Sequence, residues 1–410
     1  MEYKEILLKD LASKIGDGLH GTPSYDPKGD FYFVNGNNLE EGNIVIKDTT
    51  KTVNRETFEK YKKDLSKRTL LVSINGTIGK IAKFNNENIV LGKSACYINL
   101  NDTADKNYIY FLLKSREFQN YIQQYATGTT IKNVSLKTIR NFKVKLPALK
   151  YQNRVSTILQ NIENKIQLNY KMIANLEELS QTLFKHWFVD FEFPDKDGNP
   201  YKSSGGEMID SELGEIPKNW SIKTVKEIAE SFNSIRKPLS KIEREKRESI
   251  YPYYGATKII DYVDNYIFDG KYILVGEDGT VQTETGNPFI QYVWGKFWVS
   301  NHAHILKGKL ISDELLMLYL KNTNVAPYIT GAVQPKLNKK NLNSIKFVIA
   351  DKETIIKFEN SIKSYFQKIR ILNKENKKLI ELRDTLLPKL MFGEIEIPYD
   401  IEVNSDELSI

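Results

Sequence analysis

Two stretches of the chain place apolar residues at alternating steps of three and four. In the first, from about 150 to 188, the positions are Leu159, Ile162, Ile166, Asn169, Ile173, Leu176, Ser180 and Leu183. In the second, from about 352 to 390, they are Ile362, Tyr365, Ile369, Leu372, Asn376, Leu379, Arg383 and Leu386. This spacing keeps one stripe on one face of a helix, the heptad seam of a coiled coil with polar interruptions. No Gly or Pro occurs between Tyr151 and Phe193, while Pro388 and Gly393 end the second stretch. An antiparallel pairing in which residue numbers add to 545 sets Leu159 against Leu386, Ile166 against Leu379 and Ile173 against Leu372. Asn169 then shares a layer with Asn376, where each amide satisfies the other and fixes the register. Near the ends Ile162 meets Arg383 and Ser180 meets Tyr365. A slip of one heptad, or two surface helices each packed on its own module, are the alternatives.

Elsewhere the pattern is that of strands and turns. Short apolar runs at Thr69–Ile74, Ile89–Leu91 and Cys96–Leu100 lie between Gly and Asn punctuation, and Tyr108–Lys114 and Phe118–Gln124 have helical spacing. This gives a mixed α/β module over 1–148, a helix and Gly/Ser linker over 149–205, a second module over 206–347, and a second helix with an acidic tail over 348–410. The whole repeats once. Gly76-Thr77-Ile78 returns 203 positions later as Gly279-Thr280-Val281, Gly128 as Gly331, and Lys143 as Lys346. In the helices, Leu176, Glu178, Leu179, Thr182 and Leu183 return as Leu379, Glu381, Leu382, Thr385 and Leu386. Two copies of a module followed by a helix make a pseudo-dimer, which suits a two-part target.

Composition narrows the class. With 40% hydrophobic and 27% charged residues the chain is an ordinary globular mixture. No apolar run approaches the roughly 20 residues that span a bilayer, and the N-terminus lacks a secretory apolar core. A single cysteine, Cys96, excludes internal disulfides and thiolate zinc clusters, so a cytoplasmic setting is expected. The net charge of +7 resides entirely in residues 1–148. Such a surplus can draw a protein to phosphate backbones, or can reflect a Lys-rich composition alone.

Catalytic signatures are missing. Asn287-Pro288-Phe289-Ile290 lacks the second proline of an amino-methyltransferase segment and reads as a turn between strands. No GxxxxGK[ST] loop occurs, and Asp195 and Asp197 sit in a linker. His302 and His304 alternate on an expected strand and would share a face, too few for a metal site. Cys96 reads as a buried, inert thiol. What remains are polar residues at strand ends on Gly-anchored loops, able to reach base edges and phosphates. In the first module these are His20, Thr22, Asn75, Thr77, Lys80, Thr129, Thr130, Lys132 and Asn133. In the second they are Asp278, Thr280, Gln282, Asn301, His302, His304, Gln334, Lys336 and Asn338. Gly-Thr turns as plain scaffolding are the alternative.

LFKHWFVDFEFP (183–194), IDSELGEIPKNW (209–220) and LRDTLLPKLMFGEI (382–395) closely resemble the specificity subunit of type I restriction-modification systems. DGLHGTP (17–23) and GTIGK (76–80) look like that family's first target-recognition domain, and YPYYGATKII (251–260) with VGEDGT (275–280) like its second. The resemblance implies an α+β fold: two α/β target-recognition domains in a pseudo-two-fold arrangement, joined by two long helices in an antiparallel coiled coil. It implies a subunit without catalysis or cofactor of its own. Each domain would read one half of a bipartite, asymmetric site in double-stranded DNA. The coiled coil would space the domains and dock two modification subunits. Those subunits would carry S-adenosylmethionine and methylate adenine at N6. Two restriction subunits, where the system has them, would use ATP and Mg for translocation and cleavage. Trp187, Phe188 and Phe191 serve either as packing anchors or in partner binding. A related system with restriction and methylation fused in one partner, and a stand-alone DNA-binding regulator, are the other readings.

Overall fold

The computed structural model describes residues 3–331 and 333–398, so residues 399–410 of the acidic tail lie outside it. Its contacts gather the chain into two units. One holds residues up to Asn169 together with those from Lys374 onward, and the other holds Tyr170–Asn373.

In the first unit, four antiparallel strands form the main sheet in the order Ala12–Asp17, Ala95–Leu100, Thr69–Ser73 and Ile81–Lys83. Ala95–Leu100 is buried throughout because both faces are covered. Alternation sends Cys96, Ile98 and Leu100 into the larger core, and Ala95 and Tyr97 into a smaller one. The helix Lys106–Lys114 packs on the larger side, started by Asp105, whose carboxylate accepts the Tyr108 N–H at 2.7 Å. A small mixed sheet joins Thr52–Val53, Phe31–Val34 and Ile89–Leu91.

The second unit repeats the main sheet as Ala229–Ser231, Ala303–Gly308, Tyr272–Gly276 and Ile290–Val293, again antiparallel. Its smaller sheet is different, with four strands in the order Ile259–Val263, Tyr251–Tyr254, Lys296–Val299 and Phe268–Asp269. The chain enters and leaves each module through a paired ribbon, Lys4–Leu7 with Lys143–Leu146 and Ser221–Thr224 with Lys346–Ile349.

The two long helices are Leu149–Phe188 and Lys352–Met391, each 40 residues and about 60 Å long. In the first unit Tyr151, Val155 and Leu159 share a core with Leu387, Leu390 and Met391, with Leu386 packed against it. In the second, Phe184, Trp187 and Phe188 share one with Phe358, Ile362, Phe366 and Ile369, flanked by Ile173 and Leu176. The start of one helix therefore packs with the end of the other. The register is the expected one, since the Asn169 amide donates to Asn376 Oδ1 at 2.9 Å. It also donates to Glu375 at 2.9 Å, but the exchange is one-way: the Asn376 amide turns to the Ile166 carbonyl at 3.5 Å and the buried Asn169 Oδ1 accepts from no described residue, so the layer fixes the register without the mutual satisfaction expected.

Three details differ from the sequence reading. Phe366 is buried where Tyr365 was expected, because the second unit's core needs a ring at that level and Tyr365 is left half-buried. Arg383 joins a polar network instead of simply covering Ile162, with Glu163 at 3.7 Å and Asp384 at 2.8 Å. The second helix passes through Pro388 to Met391. Burial of Leu390 and Met391 holds the last turn, while Tyr108 and Tyr151 hydroxyls donate to the carbonyls of Met391 and Leu390. Trp187 packs tilted and Phe188 edge-on against the Phe358 ring, at centroid distances of 5.4 and 4.8 Å, which makes them packing anchors.

Candidate nucleic-acid interface

The expected loops of each module meet at one end of its main sheet, through the same hydrogen bonds in both copies. In the first module the Gly76 N–H donates to the Lys132 carbonyl at 2.9 Å, and Val134 N–H to Ile74 O at 2.8 Å. Thr127 and Asn133 exchange a pair of backbone bonds at 2.9 and 2.8 Å. In the second module, 203 positions on, Gly279 N–H donates to Pro335 O at 3.1 Å and Leu337 N–H to Glu277 O at 2.9 Å. Thr330 and Lys336 exchange the matching pair, also at 2.9 and 2.8 Å. The glycines follow. Gly76 and Gly279 have φ of +77° and +76°, while Gly128 and Gly331 both have +90°. These are left-handed turns that a side chain would strain. A third loop closes each rim, with Ile74 N–H donating to Ser94 O at 2.9 Å and Glu277 N–H to His302 O at 2.8 Å. One frame is thus built twice and carries different side chains.

On the first rim, Thr77, Thr129, Thr130, Lys132 and Asn133 are exposed, and the Asn75 and Asn133 side chains approach at 3.5 Å. Lys132 Nζ rests on Gln123 at 2.6 Å. His20 and Thr22 are exposed on the neighbouring loop, where Leu19 N–H binds the Leu91 carbonyl, and His20 Nε2 pairs with Asp17 at 2.6 Å. Lys80 is half-buried and turned toward Glu40 at 3.7 Å.

On the second rim, Thr280, Gln282, Asn301, Gln334 and Lys336 are exposed. His302 is half-exposed, its Nδ1 at 2.5 Å from Asp278. Asn338 is half-buried and its side chain caps the following short helix by accepting the Asn341 N–H at 2.9 Å. His304 is the correction: it does not share a face with His302. Its strand starts at Ala303, so His304 points with Leu306 into the helix-covered core while His302 stays in the preceding turn. It is fully buried and both ring nitrogens are used. Nε2 must carry the proton, because it meets the Leu337 carbonyl at 2.6 Å, and Nδ1 accepts from the Asn233 amide at 2.7 Å. Burial pushes its pKa below the usual value.

Arg236 is a rim residue that no pattern in the chain singles out. Its guanidinium binds Glu277 at 2.6 Å and the carbonyls of Asn301 and Ala303 at 3.1 and 2.8 Å. Burial alone would raise the Glu277 pKa, but the Arg236 hydrogen bond, with the Arg236 and Lys336 charges nearby, holds it below the usual range. Arg236 and Glu277 lie 41 positions apart, so no local pattern joins them. Among the described residues no group of three or more His, Cys, Asp and Glu is placed to hold a metal ion, and no helix is long and apolar enough to cross a membrane.

Two copies of one α/β frame, each carrying a hydroxyl-, amide- and lysine-bearing rim and sharing a pair of long helices, define a duplicated recognition protein. Residues 2–178 and 217–382 match the family described as the type I restriction modification DNA specificity domain, and the chain belongs to that family. It is a type I specificity subunit with two recognition domains. A putative type I restriction enzyme specificity subunit of Haemophilus influenzae is 38% identical over 128 residues, 31% of this chain and 32% of that one. The type I restriction enzyme MjaIX specificity subunit of Methanocaldococcus jannaschii is 24% identical over 295 residues, 67% of this chain and 66% of that one. The match therefore spans about a third of the first relative and just under two thirds of the second. The fold is also that of the S subunit of a type I restriction-modification system from M. genitalium, with a TM-score of 0.58 at 20% identity over 95% of this chain and 96% of that one.

Proposed function

We propose that each module reads one half of a bipartite, asymmetric site in double-stranded DNA, and that the paired helices set the distance between the halves. Two modification subunits dock on the helices, carry S-adenosylmethionine and methylate adenine at N6. Restriction subunits using ATP and Mg add cleavage where the system has them. The chain contributes recognition and leaves the chemistry to its partners. The observation that carries this reading is the rim frame, built twice with the same bonds and dressed with different side chains. A shared frame gives both modules one docking geometry, and differing side chains give them different sequences to read. Replacing His20 and Thr22 by alanine should weaken recognition of one half-site in the complex with modification subunits and leave the other half unchanged. Replacing Gln334 and Lys336 should do the reverse. Loss of both halves from either pair of substitutions contradicts the reading.

A further inference from the structure

The second rim contains an ion cluster, mostly buried at Arg236 and Glu277 and exposed at Lys336, that the first lacks. Glu277 directly follows the strand Tyr272–Gly276 and stands immediately before the Asp278-Gly279-Thr280 turn. Its side chain is 13% exposed and that of its partner Arg236 is 16% exposed. One carboxylate oxygen receives Arg236 Nη1 at 2.6 Å and lies 3.6 Å from His304 Nδ1. The other faces Lys336 Nζ at 3.5 Å, on the hairpin that carries Gln334. Arg236 Nη1 also holds the carbonyls of Asn301 and Ala303, on the loop that carries His302, and its Nε donates to the Asn233 carbonyl at 3.1 Å. One carboxylate thus links the three loops of this rim. The corresponding residue of the first module, 203 positions earlier, is Ile74, which is buried and apolar.

We propose that Glu277 is a positioning residue for the second half-site. With Arg236 it holds the 278–280 turn, the 301–303 loop and the 334–336 segment in a single reading geometry, so base discrimination by this module depends on an ion pair that the first does not use. The inference rests on the rims being DNA-facing. Breaking one side of a buried pair leaves the other charge uncompensated, which harms the fold as well as the loops. Removing both sides lifts that penalty but leaves the Asn301 and Ala303 carbonyls without their Arg236 donor. Stability and reading should therefore separate in the double variant, which a merely structural role would not produce.

The test uses the full chain assembled with its modification subunits and duplexes carrying the mapped site, intact or with one base pair changed in either half. A single mismatch in a specific site costs roughly 1–3 kcal/mol, about 5- to 150-fold. In Glu277→Ala that ratio should fall at least fivefold for the second half and stay unchanged for the first. Arg236→Met/Glu277→Ile should melt close to wild type yet still discriminate poorly at the second half, and this variant decides the matter if Glu277→Ala does not fold. Wild-type discrimination at the second half in the double variant overturns the proposal, as does equal loss at both halves. If the wild-type complex discriminates at neither half, it is the DNA-facing reading itself that fails.

Discussion

The buried amide layer of the coiled coil offers the sharpest energetic test. Asn169 and Asn376 are 1% and 2% exposed, and their mutual bond is 2.9 Å long. Asn169→Leu removes the donor to Asn376 Oδ1, leaving Asn376 only its 3.5 Å contact to the Ile166 carbonyl. An orphaned buried polar group costs about 1–3 kcal/mol, and burying a leucine side chain returns roughly 1.5–3 kcal/mol. Because the substitution also removes Asn169 Oδ1, which is unpartnered in the wild type, it exchanges one orphan for another and should lie within about 2 kcal/mol of wild type. In Asn169→Leu/Asn376→Leu no amide is orphaned, while two leucines enter the seam. The double variant should exceed the sum of the singles by about 2 kcal/mol, a coupling in the range expected for contacting side chains. Urea denaturation of the four proteins at neutral pH measures this directly. A coupling under about 0.5 kcal/mol, the additivity seen for unconnected sites, would refute the shared layer.

Other outcomes follow from the same geometry. Gly279→Ala should strain the +76° turn by about 1–2 kcal/mol and weaken the second half-site selectively, read by competition with half-site mismatches. Equal weakening of both halves would contradict it. Inserting one heptad in each long helix, at matched positions, lengthens each by about 10.5 Å, close to three base-pair steps of about 3.4 Å. The spacer between methylated half-sites should lengthen accordingly, and an unchanged spacer would contradict the ruler. His304 is held neutral, with Glu277, Arg236 and Lys336 nearby and its pKa below the ordinary 6.5. As pH falls below that value the unfolded state takes up the proton first, so stability declines. Urea midpoints at about pH 7.5 and about pH 5.5 should diverge less in His304→Gln than in wild type, and equal divergence would exclude this role.

The helices were legible because a seam of period 3.5 is a local signal, and Asn169 facing Asn376 followed from counting. Phe366 displaced Tyr365 because adjacent ring residues satisfy the same spacing, and only the second unit's core selects between them. The rim loops were legible through their glycines, since the turn at Gly76 and Gly279 recurs in sequence as well as in φ. His304 was misplaced by one step of strand boundary, enough to move it from rim to core. The Arg236–Glu277 clamp was invisible, because it joins distant positions and has no counterpart at Ile74.

The most direct measurement is a genome-wide map of N6-methyladenine in cells expressing this chain with its modification subunits. The account predicts one bipartite motif, with two dissimilar half-sites, a spacer of fixed length, and loss of the motif when this chain is deleted. A single contiguous motif, two identical half-sites, or a motif that persists without the chain would contradict it.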